Sequence, residues 1–91
     1  MPSIDIRRKH KHTLKQAKDV VKKTAQAIGK KFDIRSEWNG NTLSFERPGA
    51  SGEIHVSARE IHVTAQLGFL LGMLKPMIEQ EIERQLDEGL A

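Results

Sequence analysis

Apolar and polar residues alternate from Ser3 to Arg7, with Ile4 and Ile6 set against Asp5 and Arg7. That period of two predicts a short strand buried on one side. The run Arg8-Lys9-His10-Lys11-His12 breaks the alternation and leads out of it. Thr13 then opens a helix. Thr13 and Gln16 have capping-box spacing, in which hydroxyl and amide satisfy orphan N–H groups reciprocally. Leu14, Ala17, Val21, Thr24, Ala25, Ile28 and Phe32 follow at helical spacing and form one apolar stripe. Gly29 and the lysines after it mark the end, where cations suit the helix dipole.

The middle of the chain returns to a period of two. Ile34, Ser36 and Trp38 alternate, Asn39-Gly40-Asn41 turns, and Leu43 and Phe45 alternate back. Pro48-Gly49-Ala50-Ser51-Gly52 reads as a second turn, after which Ile54 and Val56 face inward. A turn centred between Ala58 and Arg59 leads to Ile61, Val63, Ala65 and Leu67. It pairs Ile54 with Val63 and Val56 with Ile61 on the inner face, and sets His55 opposite His62 on the outer one. From Gly68 the period becomes helical again, through Leu70, Leu74, Met77, Ile78, Ile82 and Leu86. Pro76 lacks an N–H and clashes with the preceding turn, so a kink or a restart is expected there. Glu79, Glu81, Glu83, Asp87 and Glu88 coat the outer side of this helix.

The order is β-α-β-β-β-β-α: one α+β domain spanning residues 1–91, with a mainly antiparallel five-stranded sheet and two helices on one face. The strand order 2-3-4-5-1 makes every neighbouring pair antiparallel; order 1-2-3-4-5, with a parallel first pair, is the alternative. The inward positions predict a core of Ile4, Ile6, Val21, Ile28, Trp38, Phe45, Ile54, Val63 and Ile78. On the last helix, Leu70, Leu74 and Ile78 are expected to face the sheet. Phe69 and Met73 then form a second apolar strip with Met77 at its edge. Phe69, Met73 and Met77 are therefore interaction candidates, whether for a homodimer, another protein or an apolar surface.

Composition narrows the chemistry. There is no cysteine among the 91 residues, which excludes disulfides, Cys-ligated metal and thiol catalysis. No apolar run reaches the roughly 18 residues of a membrane span, and the start has no signal-peptide core, so a cytoplasmic protein is expected. The formal charge of +3 conceals an asymmetry. Residues 1–35 carry eleven Lys/Arg against three acids, and residues 36–91 carry four against nine. Arg7 through Lys11 with Lys15, Lys18 and Lys22 form a cationic ridge on which nucleic-acid phosphates could bind. The few aromatics sit at core positions, however, which leaves no stacking platform. His55 and His62 as cross-strand imidazoles could hold a metal with Glu53 or Glu60 nearby, but a metal site ordinarily takes three or four clear ligands, so two solvated polar positions are the reading and no metal is expected. Ser44, Ser57 and Thr64 show no triad or elbow spacing, and no glycine motif cradles a phosphate. Neither a catalytic residue nor a cofactor is assigned.

Several stretches taken together resemble one family. They are Ile4-Asp5-Ile6-Arg7 leading to His10, the Trp38 to Gly40 turn followed by Leu43-Ser44-Phe45-Glu46, and Gly52-Glu53-Ile54-His55-Val56. Leu67-Gly68-Phe69-Leu70-Leu71-Gly72 with Pro76 and Ile78 is the strongest. In this order and overall length the chain resembles the polyhydroxyalkanoic acid system proteins, small proteins of bacteria that store polyester granules. The resemblance implies an accessory or regulatory role beside polyhydroxyalkanoate synthesis, on or near the granule. It implies no catalytic residue. The sheet with its long last helix is also similar to a reduced helix-grip fold. By that analogy the rival reading is a module holding a small apolar ligand.

Overall fold

The computed structural model describes residues 3–90, with the side chains of Phe69 and Leu70 left outside that description. The elements are β1 (Ser3–Lys9), α1 (Leu14–Phe32), β2 (Arg35–Asn39), β3 (Thr42–Arg47), β4 (Ala50–Val56), β5 (Glu60–Leu67), α2 (Phe69–Gly72) and α3 (Lys75–Leu90). The five strands form one sheet in the order β1-β5-β4-β3-β2, every pair antiparallel. This is the 2-3-4-5-1 order expected from the sequence. The expected register holds as well: Ile54 faces Val63, Val56 faces Ile61, and His55 faces His62.

The inner face of the sheet and the two long helices share one core. Ile4, Ile6, Leu43, Ile54, Val56, Ile61, Val63, Ala65 and Leu67 come from the strands. Ala17, Val21, Thr24 and Ile28 come from α1, and Ile78, Ile82 and Leu86 from α3. The α1 capping box forms in full: Thr13 Oγ1 accepts from the Gln16 N–H, and Gln16 Oε1 accepts from the Thr13 N–H. The helix runs past Gly29 to Phe32 and ends on Asp33 in the left-handed conformation (φ 55°). Gly29 serves the ending from within. Its carbonyl accepts from both the Asp33 and Ile34 N–H groups, and a Cβ there would lie 3.0 Å from the Ile34 carbonyl oxygen.

Four expectations need correction. Trp38 and Phe45 are half-buried, not buried. Trp38 lies on β2, the sheet's edge, where no further strand shields it. The second turn is narrower than the Pro48–Gly52 stretch suggests. Pro48 and Gly49 (φ +87°) suffice for a type II turn, and β4 already begins at Ala50. The last helix breaks before Pro76, as one of the two expected outcomes, with α3 beginning at Lys75, and its buried stripe of Ile78, Ile82 and Leu86 projects back onto Leu71 and not Leu74. Leu74 is exposed, and Leu71 packs against the core instead.

Gly52 is the tightest point of the sheet. A Cβ there would point into the layer between sheet and helices, overlapping the Thr64 carbonyl oxygen and lying 2.6 Å from Phe45 Cζ and 2.8 Å from Ala65 Cα. Two of these neighbours are backbone and cannot swing away. Gly52→Ala is therefore expected to cost about 2–3 kcal/mol in urea denaturation, as overpacking does. Gly40→Ala, which meets open space and only the strain of φ +63°, should cost about 1 kcal/mol.

Candidate functional site

Of the apolar strip expected at the start of the last helix, Met73 and Met77 stand at the surface. α2 ends at Gly72, and α3 begins at Lys75. Across this break the Leu74 N–H bonds to the Leu71 carbonyl, and the Ile78 N–H bonds to the Leu74 carbonyl. Leu71 and Ile78 turn to the core, which leaves Met73, Leu74 and Met77 outward, 75%, 37% and 51% exposed. They are the large hydrophobic residues that stand exposed among the described residues. The side chain of Phe69, the third member of the expected strip, lies outside the described residues, and Leu74, expected to face the sheet, joins the exposed residues instead.

Behind this patch an apolar hollow lies between the sheet and the helices, lined by Ile28, Phe32, Phe45, Leu67, Leu71 and Ile78 among others. Its volume is about 40 Å³. Ligand pockets start at roughly 300 Å³, so the hollow does not admit a small apolar ligand as it stands.

The cationic ridge is shorter than its sequence. Arg7 pairs with Glu60, and Arg8 pairs with Glu83 and Asp87 on α3. Lys18 is half-buried rather than exposed: its Nζ donates to the Gly40 carbonyl at 3.1 Å and sits 5.1 Å from the centre of the Trp38 ring. Lys15 and Lys22 are exposed, as expected. Lys31 reaches Glu81 at 3.5 Å, and Glu81 also takes a 2.6 Å bond from Arg84. The Arg84 and Gln85 hydrogen bonds hold the Glu81 carboxyl below the usual carboxylate range, and the same contact raises the Arg84 guanidinium.

The histidines have structural partners. His10 accepts the His12 N–H at Nδ1, so its Nε2 carries the proton and donates to the Ser57 carbonyl at 2.9 Å. His12 Nε2 bonds the Leu90 carbonyl and ties the end of α3 to the β1–α1 junction. On the open sheet face His62 contacts Asp5 at 2.7 Å. His55 meets Thr42 Oγ1 at 2.9 Å and Glu53 at 3.7 Å. Among the described residues no three His, Cys, Asp or Glu converge as metal ligands.

Thr42, His55 and Glu53 are a hydroxyl, an imidazole and a carboxylate in a row, and no sequence spacing pointed to Thr42. The signal was available in the register, since Thr42 faces His55 across the β3–β4 pair. The row lies on an exposed sheet face. β3 and β4 are inner strands, so their amides are committed to the ladder on both sides and are not presented to a developing oxyanion. Ser44 and Thr64 stand on the same face, and the Thr64 hydroxyl donates to the Glu53 carbonyl at 3.5 Å.

The family profile described as polyhydroxyalkanoic acid system protein matches residues 4–90. No curated protein and no solved structure matches the chain. No helix among the described residues is long and apolar enough to cross a membrane.

Two outcomes follow from these charges. Lys18→Gln should lower stability by about 1 kcal/mol through loss of the carbonyl bond and the Trp38 contact, measured by urea denaturation. Lys15→Gln and Lys22→Gln should each stay within about 0.5 kcal/mol. Because the folded state depresses the Glu81 pKa, its contribution is complete above the unfolded carboxylate pKa. It is lost as pH falls through the lower folded value. Melting curves of Glu81→Gln should therefore lie below those of the parent at neutral pH and converge with them under acid.

Proposed function

The chain belongs to the polyhydroxyalkanoic acid system protein family, and from that premise we propose that it is a non-enzymatic accessory or regulatory protein of polyhydroxyalkanoate storage. It works in the cytoplasm by laying the Met73–Leu74–Met77 patch against the polyester surface of the granule.

The exposed patch carries this reading. Three large apolar side chains stand exposed between residues 73 and 77, at the junction of α2 and α3. The ester-rich, water-excluding polymer is a surface on which such residues lose contact with water. Unbranched Met side chains adapt to a surface that has no fixed shape. The absence of a catalytic role is supported by the open face around Thr42 and His55, which neither encloses a substrate nor stabilises a developing charge. The apolar-ligand reading is disfavoured by the volume of the hollow. The nucleic-acid reading is disfavoured by the engagement of Arg7, Arg8 and Lys18 within the fold.

Sedimentation of purified protein with isolated polyester granules tests the proposal. The parent should pellet with the granules, and Met73→Gln with Met77→Gln should reduce binding about tenfold or more while melting near the parental temperature. A parent that stays in the supernatant, or a variant that pellets equally well, would refute it. Pelleting that depends on granule-bound protein, and vanishes on protein-free polymer particles, would move the contact from polymer to protein.

A further inference from the structure

β2 is the edge of the sheet farthest from β1, and among the described residues only β3 pairs with it. Its free side has a defined hydrogen-bonding pattern. Gly40 and Asn41 form a two-residue turn, so Asn39 and Thr42 are the hydrogen-bonded pair that closes it. Antiparallel pairs alternate along the strand. Asn39, Glu37 and Arg35 therefore direct their N–H and C=O groups to β3, and Trp38 and Ser36 direct theirs to the open side. The Ile34 N–H is already donated to the Gly29 carbonyl at 3.1 Å.

We propose that this edge pairs with the same edge of a second copy of the chain, antiparallel, about a twofold axis between the two Ser36 residues. The register follows from backbone and charge together. A ladder needs outward-directed residues opposite one another. Centring on Ser36 meets that need and places Arg35 opposite Glu37 of the second copy, and Glu37 opposite its Arg35. A shift one way sets Arg35 against Arg35 and Asp33 against Glu37; a shift the other way sets Glu37 against Glu37. Centring on Trp38 leaves both charges without an opposite partner. Centring on Ile34 puts its N–H, already donated to Gly29, at the central pair of the ladder, whereas centring on Ser36 needs only the Ile34 carbonyl, which accepts from the Trp38 N–H of the second copy.

The inner face agrees with the same register. It brings Ile34 opposite Trp38 on both sides of the axis, and both residues are half-buried in the single copy. An edge guarded against pairing carries a like charge or a proline. This one carries one charge of each sign, two residues apart, which makes it complementary to itself. Opposite-charge and apolar cross-strand pairs each add modestly, and the shared strand is short, so the dimer dissociates on dilution. The axis stands perpendicular to the sheet, and the helices of both copies remain on one side of a continuous ten-stranded sheet.

Sedimentation velocity across a concentration series is the test. The parent should shift from monomer to dimer as concentration rises. Arg35→Glu alone and Glu37→Arg alone should each weaken self-association about tenfold or more, because each creates two like-charge pairs. The double exchange Arg35→Glu with Glu37→Arg should restore it. An equimolar mixture of the two single variants should form a heterodimer, because acids of one copy then face arginines of the other. Unchanged melting temperatures guard against loss of fold. A parent that remains monomeric throughout overturns the proposal. So does a parental dimer that both single variants form equally well, which would place the contact elsewhere.

Discussion

The structure depends on β1 leaving its neighbour in sequence and pairing with β5 instead. β1 and β2 are separated only by α1, yet they occupy opposite edges of the sheet. Four strand spacings at about 4.8 Å put those edges about 19 Å apart. The 19 residues of α1 extend about 28 Å, enough to cross that width obliquely while lying on the apolar face. This crossing lays α1, through Ala17, Val21, Thr24 and Ile28, over the β4 and β2 side of the sheet, while α3 packs on β1. It also gives β5 a partner on both sides. β5 is consequently the most buried strand, with Ile61, Val63, Ala65 and Leu67 all inside. Without the β1–β5 pair, the inner face of β5 would lose Ile4 and Ile6, and α3 would lose the Arg8 contacts to Glu83 and Asp87.

Those contacts show where the charge asymmetry goes. The basic first third and the acidic last helix fold onto each other, through Arg8 to Glu83 and Asp87 at one place and Lys31 to Glu81 at another. Such exposed pairs add little stability each. Their larger effect is on the surface, because they remove arginines from a ridge that looks continuous in the sequence.

Much of the fold was legible because its signals are local. The switch between periods of two and 3.6 located the elements. The Thr13–Gln16 spacing placed the start of α1, and the turn between Ala58 and Arg59 set the β4–β5 register that brings His55 opposite His62. The misses share a different cause. Trp38 alternates like a core residue, but how deeply it is buried depends on whether a strand lies beyond it. Lys18 belongs to a lysine series at helical spacing, and only the position of the β2–β3 turn gives it the Gly40 carbonyl. Leu74 repeats with Leu70 and Ile78 at every fourth residue, but the stripe that packs on the sheet is set by Ile78, Ile82 and Leu86, and it projects back onto Leu71. Thr42 joins His55 and Glu53 only through a register between strands. Period and propensity describe one element at a time, whereas these four residues depend on a second.

The buried stripe of the last helix bears on the choice between enclosing a ligand and meeting a surface. At about 100° per residue, Leu71, Ile78, Ile82 and Leu86 fall on one side of the helical projection, and Leu74 falls roughly 75° to their flank. Leu71 accordingly packs against the core, the hollow that Phe45, Leu67 and Ile78 line holds about 40 Å³, and Leu74 stands with Met73 and Met77 outside. The interior leaves less than the space a ligand requires. The apolar side chains left over from the core lie at the surface, which accords with the proposed contact with a surface rather than with an enclosed ligand.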